Sequence, residues 1–148
     1  MDLTGVKVVS WDVDGTLYSL PKMVWRIVGH GFAEFFRGRV VRMWRELRAL
    51  TRFRRKMREI RRTGKQVDFA AMGINREQIL EYERRWYGPA IGKAGLQNGV
   101  QDLITHLRAR GIRQIVVSDY VSTQKLEALG LSDAFDAVYA GETLGFLK

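Results

Sequence analysis

Cysteine is absent from the 148 residues. That excludes a disulfide scaffold, a thiol nucleophile and a Cys-ligated zinc. Histidine is scarce, with only His30 and His106, so a histidine-rich metal site is excluded as well. Proline is limited to Pro21 and Pro89, and no low-complexity linker or internal repeat divides the chain. Long apolar runs are missing: charges break every stretch well short of the ~18 residues of a membrane span. Met1-Asp2-Leu3-Thr4-Gly5 lacks the basic flank and apolar core of a secretory signal. With the missing cysteine, this fits a cytoplasmic protein. Apolar residues make up 46% and charged residues 28%, the balance of a globular chain rather than of a disordered tail or a fibre.

Positive charge is abundant and concentrated. The net charge is +9. Residues 37–65 hold thirteen Lys and Arg against Glu46 and Glu59, a local charge of +11, while the remainder carries −2. A solvated helix face seldom carries so much unmatched charge. Nonspecific contact with a polyanion through residues 37–65 is therefore expected, and it should weaken steeply with salt.

The pattern of apolar residues alternates between two periods. Val6 to Trp11 is short and β-branched, as a buried parallel strand tends to be. It runs into Asp12-Val13-Asp14-Gly15-Thr16, which is loop chemistry. Ile112 to Ser118 repeats that pattern, and Ala137 to Ala140 is a third short strand. Gly99 to Arg110 reads as a helix with Val100, Leu103, Ile104 and Leu107 on one face. Ser122 to Leu129 reads as another. Strands alternating with helices imply an α/β fold with a parallel sheet. Residues 20–95 are different. Phe36, Val40, Met43, Leu47 and Leu50 predict one long amphipathic helix, continued by Phe53, Met57 and Ile60. Arg76 to Tyr87 predicts a further helix ended by Gly88-Pro89. Trp25, Phe32, Phe35, Phe36, Trp44 and Phe53 fall at helical spacing and are expected to form the core of this helical block. His30 is expected at a helix break and His106 on the surface.

In open parallel sheets ligands bind beyond the carboxyl ends of the strands. Asp12 and Asp14 follow the first strand, Ser118 the second, and Lys148 the third. A carboxylate can attack phosphorus and a second can carry a proton. A divalent cation suits the oxygen ligands, and a hydroxyl and an ammonium can hold phosphoryl oxygens.

These residues carry a resemblance. Trp11-Asp12-Val13-Asp14-Gly15-Thr16-Leu17 resembles motif I of the haloacid dehalogenase-like (HAD) superfamily. Ile115-Val116-Val117-Ser118 resembles motif II, and Gly145-Phe146-Leu147-Lys148 resembles motif III. The resemblance implies a Rossmann-like core formed by residues 1–18 and 96–148, interrupted by an all-helical C1 cap at residues 19–95. It implies that Asp12 is the nucleophile, forming an aspartyl-phosphate, and a Mg²⁺ ligand. Asp14 would be the general acid and base, with its carbonyl on the metal. Thr16 would order the loop, Ser118 would bind the transferring phosphoryl group, and Lys148 would neutralise charge there. Asp119 lies where the family often has a small polar residue, and could contact substrate or cap the next helix. An acid at Asp14 favours a phosphohydrolase over a dehalogenase. The expected activity is Mg²⁺-dependent hydrolysis of a small phosphate monoester.

The alternatives are a phosphomutase or dehalogenase-like hydrolase of the same fold, and a non-catalytic polyanion-binding protein that uses the basic cap. The family's motif IV, an acidic motif after a fourth strand, has no counterpart in these residues. The expectation is therefore a parallel sheet incomplete at the C-terminus, weak Mg²⁺ binding and little turnover by these 148 residues alone.

Overall fold

The computed structural model describes residues 3–145 and Leu147. Three parallel strands form its sheet in the order β1-β2-β3: β1 is Val8–Trp11, β2 Arg113–Ser118 and β3 Ala137–Ala140. Trp11 pairs with Val116 and Ser118 with Ala140. This register brings the carboxyl ends of all three strands to one edge.

Between β1 and β2 run four helices: α1 (Leu20–Phe36), α2 (Val40–Thr63), α3 (Arg76–Ala94) and α4 (Val100–Ala109). After β2 come α5 (Thr123–Ala128) and, beyond β3, α6 (Gly141–Leu144). The molecule is thus mixed α/β, with a small parallel sheet and a helical insertion.

Two apolar clusters hold it together. In the first, Val13, Leu17, Ile104, Val116 and Leu126 pack around the sheet, and Met23 and Ile91 reach in from the inserted helices. In the second, Leu50, Phe53, Met57 and Ile60 of α2 pack against Ile79, Tyr82 and Trp86 of α3. The periodic apolar face expected for α2 is therefore its buried face. Burying such side chains contributes about 1.5–3 kcal/mol each relative to exposure.

Four expectations are corrected, the last of them at His30. The predicted long helix is two helices. Gly38 adopts φ 71°, a left-handed conformation that ends α1 and that glycine takes without a Cβ clash. Phe36 thereby falls on α1 and not on the buried stripe of α2. Second, α3 does not stop at Gly88-Pro89 but continues through Pro89 to Ala94. Ala90 and Ile91 are buried against the sheet cluster, and that packing outweighs the cost of a proline inside a helix. Third, five of the six aromatic side chains expected in the cap core are exposed. They are Trp25, Phe32, Phe35, Phe36 and Trp44, and only Phe53 is buried. His30 sits inside the unbroken α1, edge-on to Trp86 with ring centroids 5.0 Å apart. His106 is exposed on α4.

Candidate active site

The site lies where β1 and β2 end, under the inserted helices. Asp12 is the residue after β1 and is half-buried. The turn that follows is held by backbone bonds from Leu17 to the Val13 carbonyl (3.1 Å) and from Gln97 to the Leu17 carbonyl (2.9 Å). The Gln97 side chain also donates to the carbonyls of Gly15 and Thr16. Thr16 itself is an exposed turn residue. The loop that presents both aspartates is thereby fastened to the segment leading into α4.

Asp14 is held by two neighbouring side chains. Lys125 Nζ donates to both of its carboxylate oxygens, at 2.6 and 2.7 Å. The Tyr18 hydroxyl donates to Oδ1. Burial by itself pushes the Asp14 carboxyl up. The Lys125 charge and hydrogen bond, the Tyr18 bond and the nearby Arg54 outweigh it and hold Asp14 below its ordinary value of 3.8. Burial and the Asp14 charge push the Tyr18 phenol upward, so it stays a donor.

Lys125 was not singled out in the sequence. It sits on α5, is buried and adjoins the buried Leu126. It places an ammonium against the Asp14 carboxylate. Lys148, the lysine of the motif III resemblance, lies outside the described residues.

Ser118 is buried at the end of β2, and Asp119 beside it is buried too. Asp119 accepts from Arg61 of α2, an ion pair that crosses from the insertion to the core. Ser122 stands at the start of α5, but its hydroxyl donates to the Tyr120 carbonyl. A second cross-link runs through Arg76. It pairs with Glu83 at 3.2 Å and with Glu142 at 2.6 Å, and stacks over Phe53. Glu142 also accepts from the Val121 amide at 2.7 Å. Burial pushes the Glu83 carboxyl upward against the pull of Arg76 and Lys125.

Arg54 completes this interface. Its guanidinium lies 4.9 Å from the Tyr87 ring centre and 5.8 Å from that of Tyr120, and its Nε is buried with no hydrogen-bond partner among the described residues. Its charge lowers Asp14. Arg54 thus brings positive potential from α2 towards the aspartates, where an anionic ligand would gain from it.

Mg²⁺ is commonly held by one or two carboxylates together with waters and phosphate oxygens. The hard oxygens of Asp12 and Asp14 fit that donor set. Among the described residues no group of three His, Cys, Asp or Glu gathers as a fuller metal cage.

A parallel α/β core with paired aspartates beyond its first strand, covered by inserted helices, is a Rossmann-like core with a helical insertion. The profile of the haloacid dehalogenase-like hydrolases matches residues 6–148, and the chain belongs to that family.

Solved structures agree on the fold. The L-2-haloacid dehalogenase from Xanthobacter autotrophicus, with chloropropionic acid covalently bound, superposes with a TM-score of 0.56 at 14% identity. The match covers 97% of this chain, which spans 60% of that enzyme's length. CbbY from Rhodobacter sphaeroides, in complex with phosphate, gives a TM-score of 0.57 at 21% identity, covering 97% of this chain and 67% of that one. The HAD-hydrolase YfnB from Bacillus subtilis, bound to magnesium, gives 0.56 at 18% identity, covering 95% and 67%. No curated protein sequence matches the chain.

Proposed function

We propose that the chain forms the core and cap of a cytoplasmic Mg²⁺-dependent phosphatase, acting on a small phosphate monoester through an aspartyl-phosphate on Asp12. The observation that carries this reading is Asp14, an acid two residues after Asp12, gripped by Lys125 and Tyr18. The fold does not separate the branches, since a dehalogenase and a phosphate complex superpose about equally well. A proton carrier at Asp14 serves phosphoryl transfer, in which a leaving alkoxide needs a proton.

In this reading an Asp12 oxygen bonds to phosphorus while the ester P–O bond breaks. The departing oxygen takes a proton from Asp14. Water then attacks phosphorus, giving its proton to Asp14, and the bond from phosphorus to Asp12 breaks. The first step needs Asp14 protonated, yet the ligand-free arrangement keeps it ionised. An incoming phosphate resolves this. It competes for the Lys125 ammonium and brings negative charge near Asp14, and both raise the Asp14 pKa. Mg²⁺, held by Asp12 and the Asp14 carbonyl, would offset the phosphoryl charge. In this reading Ser118 and Lys125 would hold the remaining oxygens, and the positive charge of Arg54 would favour an anionic substrate.

The test is to trap the intermediate. The chain is incubated with Mg²⁺ and ³²P-labelled acetyl phosphate, quenched in acid and mapped by peptide. Label on Asp12, released by hydroxylamine and absent in Asp12→Asn, is the expected result. Absence of label on Asp12 at saturating Mg²⁺ overturns the reading. Halide release from a 2-haloacid would replace it with the dehalogenase alternative.

A further inference from the structure

The outer face of α1 is apolar and bare. Leu20, Val24, Val28, Phe32 and Phe36 recur at every fourth residue and all are exposed, with Trp25 beside them. At 1.5 Å per residue this ridge runs about 25 Å along the helix. Trp25 is 75% exposed and Phe36 83%. The opposite face of α1 is the one used by the fold. It carries the buried Met23, the half-buried Ile27, and His30 against Trp86. The ridge continues onto the start of α2, where Val41 is 84% exposed and Trp44 also projects.

Cations flank the ridge throughout. Residues 20–48 hold seven Lys and Arg against two acids, a local charge of +5. Neither acid is free for an outside partner: Glu34 pairs with Arg37 and Arg39, and Glu46 is buried among Arg42 and Arg85. Lys22, Arg26, Arg45 and Arg48 have no ion pair among the described residues.

We propose that this face docks on an anionic lipid bilayer surface, with α1 lying in the interface and the arginines of α2 meeting headgroups. The proposal is independent of the phosphatase reading. Trp and Phe on one face with Lys and Arg around them is the composition of an interfacial helix. No helix among the described residues is long and apolar enough to cross a membrane, so the contact is peripheral. Charge complementarity selects the occupant. A second copy would bring +5 against +5, which disfavours self-association. A nucleic acid would satisfy the arginines but leave the aliphatic members of the ridge, Leu20, Val24 and Val28, in water. An anionic bilayer satisfies both features, and each basic residue near such a surface adds roughly a five-fold gain in binding.

Vesicle flotation tests this. The chain should partition onto vesicles of equal parts phosphatidylglycerol and phosphatidylcholine at least ~100-fold more strongly than onto phosphatidylcholine alone, and salt should weaken the binding. The triple variant Trp25→Ser, Phe32→Ser, Phe36→Ser, with its helical circular dichroism intact, should lose ~100-fold of that partitioning. Arg45→Gln with Arg48→Gln should lose ~10-fold or more and flatten the salt dependence. Equal partitioning onto neutral and anionic vesicles, or full retention in the triple variant, overturns the proposal. So does binding to single-stranded RNA without vesicle binding, or a dimer that the triple variant dissociates while wild type ignores vesicles.

Discussion

Replacing Lys125 with methionine should cost the fold about 2 kcal/mol at neutral pH, because it strands a carboxylate whose side chain is only 26% exposed. Lys125 Nζ touches both Asp14 oxygens, and methionine keeps the length of the side chain without the charge. The more telling result is the reversed pH dependence. In the wild type the Asp14 pKa is lowered from 3.8. Folding therefore favours the ionised form, and that stabilisation is present above the unfolded value and lost as pH falls through the folded one.

Without Lys125, burial, the largest single influence on Asp14, is opposed only by the Tyr18 bond and the Arg54 charge, and the Asp14 pKa is expected to rise above its unfolded value. Ionisation then opposes folding, so the variant should lose stability as pH climbs from about 4 upward. Urea unfolding between about pH 3 and 7 reads both slopes. Lys125→Arg, which keeps the charge, should retain the wild-type slope. If phosphate release is found, Lys125→Met should lower kcat by about 100-fold and move the acid limb of its pH profile upward. Unchanged urea midpoints across that range would show that Lys125 does not set the charge of Asp14.

The sequence around Lys125 carries no signal of its role. A single lysine in a short helical segment is ordinarily solvated, and Ser122 to Leu129 offers too few turns to show which side faces inward. Its role comes from the docking of α3 on α5, where Gly92 brings the backbones together: a Cβ at Gly92 would stand 3.1 Å from the Ala128 carbonyl. Arg54 was hidden for a different reason. It is one of thirteen basic residues between 37 and 65, and only the fold shows that it turns towards Tyr87 and Tyr120 while Arg52 and Arg55 remain exposed.

The strands and the aspartate loop were legible, because strand periodicity, Asp-Gly turn chemistry and chain order point to the same arrangement. Helical periodicity was less informative in α1. That helix has apolar residues on opposite sides, Met23 and Ile27 on one and Val24, Val28 and Phe32 on the other. Period alone does not choose between them. Hence aromatic residues expected in the core emerged on the surface.

The acids inside the basic segment carry the second large effect. Glu46 reads as one of two acids diluted in an arginine-rich face, yet its side chain is buried, with 2% exposed. Oε1 accepts from Arg42 Nε at 2.9 Å and from Arg85. Oε2 accepts from the Trp86 indole at 2.9 Å. This carboxylate ties α2 to α3 through charge and through a buried donor. Glu46→Leu fills much of the same volume, and Arg42 and Arg85, both partly exposed, can turn to water. Trp86, 1% exposed, cannot, and its N–H is left unpaired in the cap core. The variant should lose about 3 kcal/mol, roughly 9 °C in Tm for a chain of this size.

Glu46→Gln keeps an acceptor for the indole and removes the charge, so it should lose less, about 1–2 kcal/mol. Trp86→Phe deletes the donor instead. Combined with Glu46→Leu, it should cost less than the sum of the two single variants by about 1 kcal/mol, since the stranded N–H is no longer there. Strict additivity would mean that Glu46 acts only through its arginines. In that case raised salt should weaken the wild type and spare the leucine variant, which thermal unfolding at two ionic strengths resolves.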